Sequence, residues 1–209
     1  MLTNGYLTVN ALQSAVGDTT YTHTAERERA IGAASRQIDL WTGRYFYQDA
    51  APSARLFDAT DRTCTYVGDF DSATGVVVAT DDNHDGTYGV VWTSGQWQPE
   101  PYVRFNGWPY TTITTTSRTR EFPLSGRAPS VRVTALWGWH AIPGPIEQAC
   151  ETLATLYYRP NIELISADPI SVAQGLCRQY AVPGGTLYVP PATPMELAPK
   201  LAPKLTRLG

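Results

Sequence analysis

The residues with the most suggestive chemistry in this chain are Asp81, Asn83 and Asp85, followed at once by Gly86. Side-chain oxygens alternating along a turn suit a hard cation such as calcium, and the glycine permits the sharp bend such a loop needs. The pattern is the first half of a calcium loop only. Its twelfth position, where a bidentate Glu would complete the shell, is Trp92. The flanks read as strands and not as helices, so Asp81–Gly86 is expected to be a metal-free hairpin tip. Asp85-Gly86 supplies the positive φ of a tight turn. A second group is aromatic: Trp92, Trp97, Trp108, Trp137 and Trp139, with Tyr102 and Tyr110. Indoles exposed on a β surface could stack on sugar rings, but in a small β layer they more commonly fill a core or a subunit interface. Three histidines, His23, His84 and His140, stand in unrelated contexts. Neither a Gly-rich phosphate loop nor a G-x-S-x-G elbow is present, so no enzyme, catalytic residue or cofactor is expected.

The elements that must position these residues begin with a long helix inside Thr22 to Phe46. Ile31, Ala34, Ile38 and Trp41 fall at i, i+3, i+7 and i+10, one stripe of a helix. Thr22 or Thr24 can cap its start, Glu26 and Glu28 suit its positive end, and Gly43 suits its left-handed stop, with Arg44 beside the last carbonyls. A shorter helix is expected over Thr8 to Gly17. From Ala54 to Trp137 the pattern turns β. The expected strands are Ala54–Asp58, Cys64–Val67, Gly75–Thr80, Thr87–Trp92, Gln96–Val103, Thr111–Thr116 and Ser130–Trp137, rich in Val, Thr, Tyr and Trp. Helix returns after Gly138. Ile146, Ala149, Cys150, Leu153 and Tyr157 repeat at helical spacing up to Pro160, the natural partner of the Ile31/Trp41 stripe. Asp168-Pro169 then starts a helix whose apolar face is Ile170, Ala173, Leu176, Cys177 and Tyr180, and Pro183-Gly184-Gly185 ends it.

Beyond that point the chain is proline-rich and contains a tandem LAPK-LAPK at 197–204. Proline at this density excludes helix and central strand, so an extended arm is expected. Leu197, Lys200, Leu201, Lys204 and Leu205 are its candidate contacts with a partner or neighbouring subunit. The fold class is therefore α+β: a small helical bundle with an inserted antiparallel β module and an extended Pro-rich C-terminal arm. The expected division is a discontinuous helical domain (1–47 and 138–182), the β insertion (48–137) and the arm (183–209).

At 209 residues, with 43% apolar and 17% charged, the chain can bury a core. A net charge of −3 argues against a strongly basic nucleic-acid binder. Charge is uneven, with seven Asp against one Arg from Asp58 to Asp85 and five Arg against one Glu from Arg104 to Arg132. Such segments suit either self-association or solvated loop tips of both signs. Trp108, Tyr110, Arg118 and Arg120 are the candidate subunit-interface residues. Cys64, Cys150 and Cys177 are odd in number and lack a CxxC pair, so they are expected to be reduced in a protein that folds in a cytoplasm. No secretion signal and no apolar run of ~20 residues is visible, so neither export nor a membrane span is expected.

The order of motifs resembles the head-to-tail connector (adaptor) family of tailed bacteriophages. The matching pieces are YLTVNALQSAVG, AASRQIDLWTGRYF, DDNHDGTY followed by W, GWPYTTI, and VRVTALWGWHAIPGPIEQACETLATLYYRP, together spanning roughly residues 5 to 180. In that family a helix ending in S-R-x-I-D-x-x-T/C-G-R-x-F is typical. Here that is Ser35-Arg36-Gln37-Ile38-Asp39-Leu40-Trp41-Thr42-Gly43-Arg44-Tyr45-Phe46, with Trp137-Gly138-Trp139 as the W-G-W ahead of a proline. The Pro-rich tail departs from the commoner short ending. The resemblance implies a structural virion protein made in the host bacterial cytoplasm. It would form a dodecameric ring at the head-tail interface, between the portal protein and a tail-side connector, stopper or tail protein. Genomic DNA would pass through its lumen without sequence-specific binding. The alternative is a carbohydrate- or calcium-binding β module of a virion or surface protein.

Overall fold

The computed structural model describes residues 4–18, 22–59, 61–105, 107–124, 128–159 and 168–182. The arm at 183–209, with Leu197, Lys200, Leu201, Lys204 and Leu205, lies outside them.

Helix α1 (Val9–Ala15) starts as its sequence dictates, with the Thr8 hydroxyl accepting a hydrogen bond from the Ala11 amide. Helix α2 (Thr24–Thr42) carries the apolar stripe and stops at Gly43, whose φ of +67° is left-handed and whose amide donates to Asp39. Its start differs from expectation: His23 is the N-cap residue and neither threonine caps it. The Glu26 carboxylate, 3.8 Å from His23 Nδ1, meets the positive end of the helix in place of a hydroxyl. Ile31, Ala34, Ile38 and Trp41 are buried against Ile146, Ala149, Cys150 and Leu153 of helix α3 (Gly144–Tyr158). Full burial of Ile31 and of Ile38 stabilises the fold by roughly 1.5–3 kcal/mol each. Helix α4 (Pro169–Arg178) packs on α3, its start capped by the Asp168 carboxylate, which accepts from the Ser171 amide.

All seven expected strands form: β1 (Ser53–Phe57), β2 (Cys64–Phe70), β3 (Val77–Thr80), β4 (Val90–Val91), β5 (Trp97–Glu100), β6 (Tyr110–Thr115) and β7 (Val131–Ala135). Four are shorter than the sequence pattern: β3, β4, β5 and β7. Strand β5 stops at Glu100, with Pro101 directly after it. Strand β4 begins late because the Thr87 and Gly89 amides are committed to the preceding turn. The strands form two antiparallel sheets, ordered β1-β7-β3-β4 and β2-β6-β5, joined by a bridge from Phe70 to Trp137. Strand β7 alternates as a half-buried strand must, with Val131, Val133 and Ala135 inside. Of β6, the central strand of its sheet, only Ile113 is buried, and its threonines are half-buried.

The result is an α+β fold with two apolar clusters, one among the helices and one between the sheets. Trp137 belongs to the β cluster and Trp139 to the helical cluster, with Gly138 between them. Among the described residues, no helix is long and apolar enough to cross a membrane.

Candidate functional site

The two clusters meet where the chain leaves the helices at residues 44–49 and returns at 137–140. Gly138 adopts φ +98°, and a Cβ added there would lie 1.8 Å from the Tyr47 carbonyl oxygen, so only glycine lets the two segments approach this closely. Its amide donates to Asp69 O at 2.8 Å, the Asp49 amide donates to Trp137 O at 2.8 Å, and Gln48 and Gly138 are bridge partners. A buried ion pair crosses the same seam. The Arg44 guanidinium, expected beside the last carbonyls of α2, turns instead to the Asp69 carboxylate on β2. Both side chains are more than nine-tenths buried, and a lone carboxylate at that depth would draw the cation inward. Trp139 Nε1 donates to the other Asp69 oxygen at 2.9 Å. Burial pushes the Asp69 carboxyl above the ordinary carboxylate range, while Arg44 and the indole N–H offset part of that cost.

Beside this pair lies a cleft of about 380 Å³ walled by Tyr45, Tyr47, Phe57, Tyr66 and Trp137. Its rim charges are already paired: Arg55 with Asp49 at 2.9 Å and Arg44 with Asp69. The Arg55 guanidinium also sits over the Trp137 ring, 4.7 Å from its centroid.

From the far margin of the β2-β6-β5 sheet projects the loop joining β5 to β6. Tyr102, Val103 and Phe105 on it are 80%, 83% and 83% exposed. The residues between and beyond them hold the loop in place. Arg104 donates to Asp71 O at 2.7 Å and to Trp108 O at 3.0 Å, and its guanidinium lies 3.9 Å from the Tyr110 ring centroid. Trp108 stacks on Tyr180 at 5.3 Å and 17°, and also touches Trp139. The apolar tip is thus pinned by half-buried polar and aromatic anchors.

Of the residues singled out from sequence, Trp108 and Tyr110 are partly buried and come together at the foot of this loop. Arg118 and Arg120 lie beyond the other end of β6, where Arg120 faces Asp82 at 3.9 Å and Arg62 pairs with Glu121 at 2.9 Å. Part of the uneven charge is therefore neutralised within the chain. Asp81 is buried, and its carboxylate accepts from the amides of Gly86 at 2.8 Å and Asp85 at 3.2 Å, while Asp85 accepts from the Thr87 amide. Burial opposes the charge on Asp81, but the amides of the turn outweigh it and hold the carboxyl below its ordinary range. These oxygens serve the turn itself. Asn83 and Asp85 are exposed at the tip, and among the described residues no cluster of His, Cys, Asp or Glu is arranged to hold a metal ion. Trp92, Trp97, Trp137 and Trp139 are core residues, which removes the indole platform a sugar-binding surface would require. His140 is 3.5 Å from Asp71, His23 stands at the N-cap position of α2 without a side-chain capping hydrogen bond, and His84 sits on the hairpin tip.

Sequence reasoning singled out Tyr102 but missed Val103 and Phe105 beside it, and it missed the Arg44–Asp69 pair. A signal for the trio was present: three large apolar residues within four positions after Pro101, two of them read as the end of a strand.

No protein-family model matches this chain, and no curated protein matches its sequence. Solved structures share its fold. It overlays a chain of the neck of an empty gene transfer agent (GTA) particle, computed with C6 symmetry, with a TM-score of 0.59 at 16% identity. That overlay covers 88% of this chain and 95% of the other. A chain of the virion of a native GTA particle overlays with a TM-score of 0.54 at 17% identity, again over 88% of this chain and 95% of that one. At such identities the likeness is one of fold.

Proposed function

We propose that this chain is a structural, non-enzymatic protein of a phage-like virion, located in the neck. Several copies would form a ring that joins the portal vertex to the tail and extends the DNA channel. The observation that carries the reading is the overlay on a neck chain along nearly its whole length, 95% of it. The ordered motifs at Ser35–Phe46 and Trp137–Trp139 support it independently. The six-fold symmetry used for that particle is compatible with a dodecameric ring, the number the connector resemblance implies. Partners on this reading are other copies of the chain, the portal protein on one side and a tail-side connector, stopper or tail protein on the other. Genomic DNA passes through the lumen, and a net charge of −3 suits a channel wall over which DNA slides. Residues 1–47 and 138–182 act as one helical unit and 48–137 as an inserted β unit. The arm at 183–209 grips the portal or a neighbouring subunit.

Light scattering on the purified protein, alone and mixed with the portal protein of the same particle, tests this. A closed oligomer many times the 22.9 kDa chain mass, or a stoichiometric complex with the portal, is the expected result. A monomer that ignores the portal would overturn it.

A further inference from the structure

We infer that the β5–β6 loop of one copy seats Tyr102, Val103 and Phe105 in the cleft beside β2 of the next copy, a head-to-tail contact that links the ring. This deepens the ring reading and rests on it.

The loop has the properties of an insert. Two nearly free aromatic rings and a valine present on the order of 400–600 Å² of apolar surface, taking ~150–250 Å² for each ring. That is half or more of the ~800 Å² per partner of a standard interface, and it exceeds what isolated surface apolar residues account for. Arg104 and Trp108 already fix the backbone, so little conformational entropy remains to be lost on docking.

The cleft has the properties of its receptor. Its volume of about 380 Å³ falls in the ~300–1,000 Å³ range of sites that enclose an organic group, and five aromatic rings, those of Tyr45, Tyr47, Phe57, Tyr66 and Trp137, stand in its walls. Because Arg55 and Arg44 are each matched by a carboxylate, an apolar visitor meets paired charges at the rim. The visitor is equally neutral, since the one charge in the segment, Arg104, is turned back onto Asp71 and Trp108.

Placement selects a second copy as the occupant. In the three-stranded sheet Thr112 of β6 pairs with Tyr66 of β2 on one side and with Glu100 of β5 on the other. The cleft runs along β2, the loop leaves β5, and among the described residues none of β5, β6 or their loop lines the cleft. Insert and receptor are thus separate patches of one chain, the loop being held at Asp71 just beyond the end of β2 and the cleft lying along Tyr66, Val67 and Asp69. Two different patches that fit each other make a heterologous contact, which repeats from copy to copy and closes into a ring when the rotation allows.

The test uses the full chain with Cys64→Ser, since Cys150 and Cys177 are buried. Phe105→Cys and Tyr66→Cys are added together and separately, and the assembled protein is treated with a short bismaleimide. The double variant is expected to give a ladder of dimers, trimers and higher species on denaturing gels, and each single variant no ladder. A ring of full mass that gives no ladder, or one in which the thiol introduced by Phe105→Cys is linked only to the portal, overturns the contact while leaving the ring reading intact. A chain that stays monomeric by light scattering, alone and with the portal, overturns both. Phe105→Ser guards against misfolding artefacts: its melting temperature should match that of the parent while self-association weakens at least tenfold. Unchanged self-association of a folded Phe105→Ser protein also counts against the contact.

Discussion

Replacing Gly138 by Ala puts the seam between helices and sheets under direct load. The new methyl would sit 1.8 Å from Tyr47 O, 2.8 Å from Tyr47 C and 3.0 Å from Gln48 Cα, all of them backbone atoms that no rotamer change can move. Separating the two segments by more than an ångström sacrifices the Asp49–Trp137 and Trp139–Tyr47 backbone hydrogen bonds, each worth about 1 kcal/mol net. Holding an L-residue at positive φ adds roughly 1–2 kcal/mol. The sum, about 3–4 kcal/mol, lies in the range reserved for identifiable backbone or core faults. For a chain of this size it corresponds to a fall in Tm of roughly 6–16 °C. Thermal unfolding followed by tryptophan fluorescence is the assay, because Trp137 and Trp139 flank the substitution. Gly175→Ala is the control: it lies exposed in α4 with open space around it and ordinary φ, and should stabilise by about 0.5–1 kcal/mol. A Gly138→Ala protein that melts within about 2 °C of its parent would refute the close approach.

Tyr6→Phe removes a hydroxyl that donates to Asp39 and accepts from the Phe46 amide at 2.9 Å, all buried. It should cost about 1–3 kcal/mol, read from urea unfolding midpoints at constant slope. Asp81 has a folded-state pKa below its unfolded value of about 3.8, so its contribution is present above that pH and lost as pH falls through the folded value. Asp81→Asn should therefore lower Tm at neutral pH, with the gap to the parent closing as the solution is acidified below about 4; a gap constant with pH would count against the amide cradle. Burial pushes the Cys150 thiol up to about 11 and Cys177 up to about 12, whereas Cys64 is partly exposed. Titration with a chromogenic disulfide should find one reactive thiol in the native protein and three after denaturation.

The helices were legible because their signals are local. The Ile31–Trp41 stripe, the Thr8 and Asp168 caps and the Gly43 stop each follow from a few neighbouring residues, and each stands where the spacing put it. The strands were legible as existing, through their β-branched content, but their pairing was not. Nothing near Phe57 says that it lies opposite Val131, and the order β1-β7-β3-β4 depends on contacts across most of the chain. The tryptophans were rightly preferred as core residues, yet alternation alone could not divide them between two cores on either side of Gly138. Hardest to read were the buried cations. Arg27 and Arg44 look like surface residues in a polar helix and its exit, and only Asp18 and Asp69, distant in sequence or across a loop, explain why they turn inward. The candidate contact surface was obscured for the opposite reason, since Tyr102, Val103 and Phe105 have core composition and loop exposure.

The bridge between Gln48 and Gly138 sets the two ends of the intervening chain within about 5.5 Å of each other, a separation that a tight hairpin turn spans as readily as a whole β layer does. For the helices, then, the β segment is topologically a loop whose size scarcely matters. Closure entropy changes by only about 0.6 kcal/mol for each doubling of length. Such a junction acts as a socket: a change in the length of the segment between Gln48 and Gly138 is expected to cost the helical packing little, as long as the junction contacts are kept. What any replacement must reproduce is a carboxylate for Arg44, a hydrogen-bond acceptor for Trp139, an aromatic ring in the place of Trp108 against Tyr180, and a glycine at the crossing.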